Sequence, residues 1–147
     1  MFKRPESILV VIHTMSGEVL RLLRHEPAGF WQSVTGSLLE NETPLKAALR
    51  EVREETGLDA GMDLTDSGIV NRYPTHPAWR HRYSPQVREN IEYVFSLLLP
   101  ERVAVTLAPA EHAEYRWLPR TKAAELAASH TDRDAILTLV PPASPEA

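Results

Sequence analysis

Between Thr43 and Gly57 the chain reads TPLKAALREVREETG, an amphipathic helix with both ends marked in the sequence. Thr43 supplies an N-cap and Pro44 a preorganised first turn. Gly57 is placed to leave the helix in the left-handed conformation. At about 100° per residue, Leu45, Ala48, Leu49 and Val52 fall on one apolar arc, which is expected to face the core. Glu51, Glu54 and Glu55 cluster on a different arc, at positions expected to be exposed, with Arg50 beside Glu54 as its i,i+4 partner. Like charges this close repel. Two readings follow: a solvated acidic face, or a site for a hard cation such as Mg²⁺ or Mn²⁺, whose charge would offset the repulsion. Helical spacing alone leaves both open.

Composition narrows the chemistry that could accompany such a helix. The 147 residues contain no cysteine, which removes disulfides, thiolate metal sites and thiol nucleophiles together. With 16 Lys+Arg against 20 Asp+Glu the formal charge is -4, so no whole-surface attraction to nucleic acid is expected. No segment approaches the ~20 apolar residues of a membrane span, and the N-terminus lacks a signal-type cleavage site, which makes the cytoplasm the expected compartment. The length fits one domain, over residues 1–140, with a Pro-rich tail at 141–147 expected to be disordered. Monomer and homodimer are equally compatible with these features.

The remaining pattern is that of a mixed sheet. Ser7–Thr14 (SILVVIHT) reads as a buried strand, and Glu18–Leu23 as its hairpin partner across Ser16-Gly17. Gln32–Thr35 is a shorter strand ending at Gly36. Ile69–Tyr73, Ile91–Leu99 and His112–Leu118 are further strands. Pro119 opens a helix through about Ala128, and Thr131 with Asp134 is expected to cap a last one running to about Val140. Strands interspersed with a few helices, without regular βαβ repetition, predict helices packed on the faces of a mixed sheet.

The carboxylate helix sits inside a larger pattern: Gly36, five residues, Glu42, seven residues, then Arg50-Glu51-Val52-Arg53-Glu54-Glu55-Thr56-Gly57-Leu58. This resembles the Nudix hydrolase signature G-x5-E-x7-R-E-U-x-E-E-x-G-U, with U aliphatic, and matches it at every fixed position. The resemblance implies an α/β/α sandwich with a mixed β-sheet. It also implies metal-dependent hydrolysis of a nucleoside-diphosphate-type linkage, with Glu51 and Glu55 as metal ligands and Glu54 as a further ligand or the base that orients water. Glu42 is read as structural. A further ligand often lies outside the box in such enzymes. Glu111 is the first choice here and Glu114 its competitor. A catalytically silent ligand sensor of the same fold is the rival reading, and it expects a broken box.

Residues outside the box extend the resemblance. Lys3-Arg4-Pro5, Phe30-Trp31-Gln32-Ser33-Val34-Thr35-Gly36-Ser37 and Arg80-His81-Arg82-Tyr83 look like the branch of the family that cleaves dihydroneopterin triphosphate in folate biosynthesis. That likeness implies a small-molecule pterin triphosphate as substrate, with a nucleoside triphosphate as the alternative. It makes Lys3, Arg24 and Thr35 expected substrate contacts, with Ser129 a weaker one. Arg80 and His81 belong to a basic segment that serves either phosphate or pterin recognition or a solvated loop. Trp79 and Tyr83, flanking it, are suited to stacking on a planar ring or to ordinary packing.

Overall fold

The computed structural model describes residues 2–75 and 77–142. Of the tail expected at 141–147, the part from 143 onward lies outside them. The strands are β1 (Glu6–Thr14), β2 (Glu18–Arg24), β3 (Trp31–Gln32), β4 (Val34–Ser37), β5 (Leu64–Pro74), β6 (Glu89–Leu99) and β7 (His112–Pro119). The helices are α1 (Pro44–Thr56), α2 (Arg120–Glu125) and α3 (His130–Leu139). The sheet order is β3-β2-β1-β6-β5, with β4 also on β1 and β7 also on β2. β1 and β6 run parallel, with Leu9 opposite Val94, while the β1–β4, β2–β7 and β5–β6 pairs are antiparallel. The sheet is therefore mixed.

The continuous apolar run of β1 follows from burial on both faces, since successive side chains alternate sides. Ile8, Val10 and Ile12 join Ala48 and Val52 of α1 in one core cluster. Leu9 and Val11 join Ala123 and Ala124 of α2 and Ala135 and Ile136 of α3 in a second. Two apolar layers on opposite sides of one sheet constitute the expected sandwich.

Three details differ from the sequence expectations. Leu45, assigned to the core arc, is 49% exposed, whereas Ala47, Ala48, Glu51, Val52, Glu55 and Thr56 are the buried residues of α1. The helix is rotated so that two of its carboxylates point inward. The strand expected over Gln32–Thr35 is broken at Ser33 into β3 and β4. There Ser33 N–H and Oγ–H donate to the Asp132 carboxylate, at 3.0 and 2.7 Å, instead of to a neighbouring strand. Arg21, fully buried, completes this network with Nη2 2.6 Å from Asp132 Oδ2. Finally, α3 is capped by Ser129, whose hydroxyl accepts from Asp132 N–H, and not by Thr131 with Asp134. Asp132 in the first turn also complements the helix dipole.

Candidate active site

α1 carries the site because its ends and its guanidinium hold it in one setting. Thr43 accepts from Lys46 N–H, and Gly57, at φ 77°, closes the C-terminus by donating to Arg53 O. Arg50 is bound by more than the expected Glu54. Its Nε and Nη2 each lie 2.8 Å from a Glu42 oxygen, Nη1 lies 2.6 Å from Glu51 and 3.2 Å from Glu54, and Nη2 also donates to Ser37 O. The planar fork thus ties the loop containing Glu42 to the carboxylate face. Glu42, which also accepts from Leu39 N–H, has the structural place expected of it.

The carboxylates differ sharply in environment. Glu54 is 56% exposed, whereas Glu51 is 8% and Glu55 0% exposed, so the expectation that Glu51 and Glu55 are solvated is corrected. Burial on the sheet side follows from the close approach of β4, where Gly36 leaves no side chain in the way. Burial, foremost, raises the Glu55 carboxyl well above its ordinary range, and the charges of Glu51 and Glu111 add to it. Burial likewise pushes Glu51 up, against the pull of Arg50. Both Glu55 oxygens are buried without a hydrogen-bond partner.

Glu111 and His112 complete the acidic end. One ligand atom from each of Glu55, Glu111 and His112 lies within 4.8 Å of the others. Glu114, the competitor, instead faces Arg116 at 3.5 Å and does not line the cleft. His112 is buried, with Nε2 2.9 Å from Gln32 Nε2 and 3.8 Å from Glu55 Oε1. Burial, aided by Arg24, lowers its pKa to about 4, so the ring is neutral near pH 7. Nε2 then accepts from the Gln32 amide. Oxygen donors around an unpaired buried carboxylate fit a hard divalent cation.

The opposite wall is cationic. Lys3, Arg24, Thr35, His81 and Arg82 line a cleft of about 1430 Å³ that reaches Glu51 and Glu111. Burial and then the neighbouring Arg82 lower the pKa of both Lys3 and Arg24. Arg24 lies over the Trp79 ring, 4.9 Å from its centroid, and Phe30 meets the same ring edge-on at 5.3 Å. One side of the cleft holds carboxylates short of positive charge, and the other holds cations short of negative charge. A metal bound to a polyanion would satisfy both.

Two sequence-predicted contacts lie elsewhere. Arg80 is exposed and does not line the cleft, where its neighbours His81 and Arg82 in the short 3-10 segment Pro77–Arg82 stand instead. Ser129 is engaged as the cap of α3 and is likewise absent from the cleft lining. Ser7, Gln32, Tyr73, Thr75 and Asn90 line the cleft without having been singled out as contacts. Their signal in the sequence was weak, since each sits in or beside a strand where its side is set by register.

A mixed sheet between helical layers, with an inward-facing carboxylate helix beside a cationic cleft, defines a Nudix hydrolase. The sequence matches the NUDIX domain family over residues 3–139, and the chain belongs to that family. It is 41% identical over 140 residues to the dihydroneopterin triphosphate diphosphatase of Escherichia coli (strain K12), covering 92% of each chain. It is 34% identical over 139 residues to the Haemophilus influenzae enzyme of the same name, covering 92% of this chain and 87% of that one. Among solved structures, the E. coli dihydroneopterin triphosphate pyrophosphohydrolase superposes with a TM-score of 0.89, covering 95% of this chain and 97% of that one.

Proposed function

We propose that this protein is a Mg²⁺- or Mn²⁺-dependent pyrophosphohydrolase that converts 7,8-dihydroneopterin triphosphate to dihydroneopterin monophosphate and pyrophosphate, acting in the cytoplasm in folate biosynthesis. The observation that carries this reading is the near full-length similarity to enzymes named for that substrate, which takes in the cleft as well as the box. Residues 1–140 act as one catalytic domain. Among the described residues no helix is long and apolar enough to cross a membrane.

Glu51, Glu55 and Glu111 are the residues that would hold the metal, and Glu54, the exposed carboxylate of the box, would serve as a further ligand or as the base that orients water. When bound, a divalent ion neutralises charge developing on phosphoryl oxygens and lowers the pKa of coordinated water. Lys3, Arg24, Thr35, His81 and Arg82 bind the polyphosphate and hold it in register with the acidic end. Trp79, already braced by Phe30, offers an aromatic wall beside the phosphate cations. Arg50 positions Glu51.

The test is metal-dependent pyrophosphate release from dihydroneopterin triphosphate, run beside dGTP, dATP and ADP-ribose. The expected result is the highest kcat/KM for the pterin and loss of turnover in Glu55→Gln. Equal or better nucleotide turnover would replace the pterin with a nucleoside triphosphate as substrate. Metal-independent ligand binding without turnover would favour the sensor reading.

A further inference from the structure

Behind the cleft a chain of buried polar side chains runs between β5, β6 and β1, and its donors and acceptors can be accounted for one by one. Glu92, 2% exposed, takes Asn71 Nδ2–H at 3.2 Å and the Tyr73 hydroxyl at 3.0 Å. With its single proton given to Glu92, Tyr73 Oη is left as an acceptor, and Asn90 Nδ2 donates to it at 3.2 Å. The second Nδ2 hydrogen of Asn90 goes to Ser7 Oγ at 2.6 Å. Both amide hydrogens are thus committed to the protein, which fixes the orientation of the amide.

Asn90 Oδ1 is what remains. Asn90 is 4% exposed and Thr75 6%, both line the cleft, and Asn90 Oδ1 and Thr75 Oγ1 are buried without a hydrogen-bond partner. A buried carbonyl with no donor costs roughly 1–3 kcal/mol, which a ligand donor would recover. No cation wall or metal donor explains these atoms, because Asn90 and Thr75 carry no charge and stand outside the acidic cluster.

We propose that Asn90 Oδ1 and Thr75 Oγ1, both on the cleft lining, are the specificity-determining acceptors that take N–H donors from the amino-bearing six-membered ring of the substrate's bicyclic heterocycle. The Glu92–Tyr73 pair acts through Asn90 as a positioning element, since it prevents the amide from turning its nitrogen to the cleft. This deepens the proposed function and rests on it. Phosphate binding and metal binding set the reacting end, and the Asn90–Thr75 pair sets which ring is accepted. A site built to pair N–H groups discriminates strongly against an analogue lacking them, because its own acceptors then stay buried and unpaired.

The experiment compares kcat/KM for dihydroneopterin triphosphate, dATP and purine 2′-deoxyriboside triphosphate, the last having no N–H on its six-membered ring. Wild type is expected to favour the amino-bearing compounds over the bare purine by at least ~10-fold. Asn90→Ala should lose about 10–100-fold on both amino-bearing compounds and less than about 3-fold on the bare purine, with the Mg²⁺ concentration for half-maximal rate unchanged. Thr75→Val, close in shape, should show a smaller loss of the same selectivity, and it decides the matter if Asn90→Ala does not fold. An equal loss on all three compounds, or unchanged selectivity in the folded variants, would overturn the inference. If wild type turns over dihydroneopterin triphosphate no faster than dATP, the proposed substrate fails, while dATP against bare purine still judges Asn90.

Discussion

A Cβ placed on Gly36 would lie 2.3 Å from Cδ of Glu51 and within 2.7 Å of both its carboxylate oxygens. β4 and the carboxylate helix therefore meet at a distance that only glycine permits, and the meeting point is the carboxyl group itself. The conflict is with the far end of a flexible side chain, so the fold can absorb it by moving Glu51. Gly36→Ala is expected to fold with a thermal midpoint within a few degrees of wild type and to lose on the order of 100-fold in kcat, through a displaced carboxylate. Steady-state kinetics beside a melting curve check this. Wild-type turnover would show that Glu51 need not occupy this position.

Glu51→Gln and Glu55→Gln are each expected to lower turnover by at least ~100-fold through lost charge stabilisation. Their stability effects should separate. Glu51 accepts from Arg50 at 2.6 Å, so its neutralisation weakens an ion pair, whereas the Glu55 charge is buried beside those of Glu51 and Glu111 and its removal relieves them. Without metal, Glu55→Gln should melt at or above the wild-type temperature at pH 8, and Glu51→Gln below it. Calorimetric binding of Mn²⁺ should weaken in both.

Arg50 lines the cleft and holds its carboxylate side in place. Arg50→Lys keeps the charge but cannot engage Glu42 with two donors while reaching Glu51 and Ser37 O. A loss of about 1–3 kcal/mol in urea unfolding is expected, since the guanidinium is only 23% exposed. A lower metal affinity should accompany it. Unchanged stability would mean that the network adds nothing beyond its surface charge.

His13 gives the fold a pH dependence. It is 5% exposed with Nδ1 unpaired, and burial lowers its pKa below the usual 6.5. The unfolded chain then takes up a proton at a pH where the folded one does not, so the contribution is present above pH ~6.5 and is lost as pH falls toward the folded value. Urea unfolding of wild type should weaken between pH 7.5 and 5, and His13→Leu should flatten part of that slope. An identical slope in both proteins would remove His13 as its origin.

The sequence by itself determined the parts whose information is local. The cap and stop of α1, the double-sided burial of β1 and the spacing from Gly36 to Gly57 depend on backbone conformation and periodicity, which neighbouring residues set. The Nudix box could be read for the same reason. Which side of a residue meets what was decided only by tertiary structure. The helical wheel placed Leu45 inward and Glu51 and Glu55 outward, but close packing against β4 rotated the buried arc toward the carboxylates. Asp132 broke a strand at Ser33 from 99 residues away, and Arg21 was drawn into the same buried network. The cleft drew Lys3, Thr35, Asn90 and Glu111 from distant strands and loops, while the turn at Pro77–Arg82 left Arg80 outside and admitted Arg82. A strand pattern says that side chains alternate. Sheet order and register say which of them reach the cleft, and those come from contacts between residues far apart in the chain.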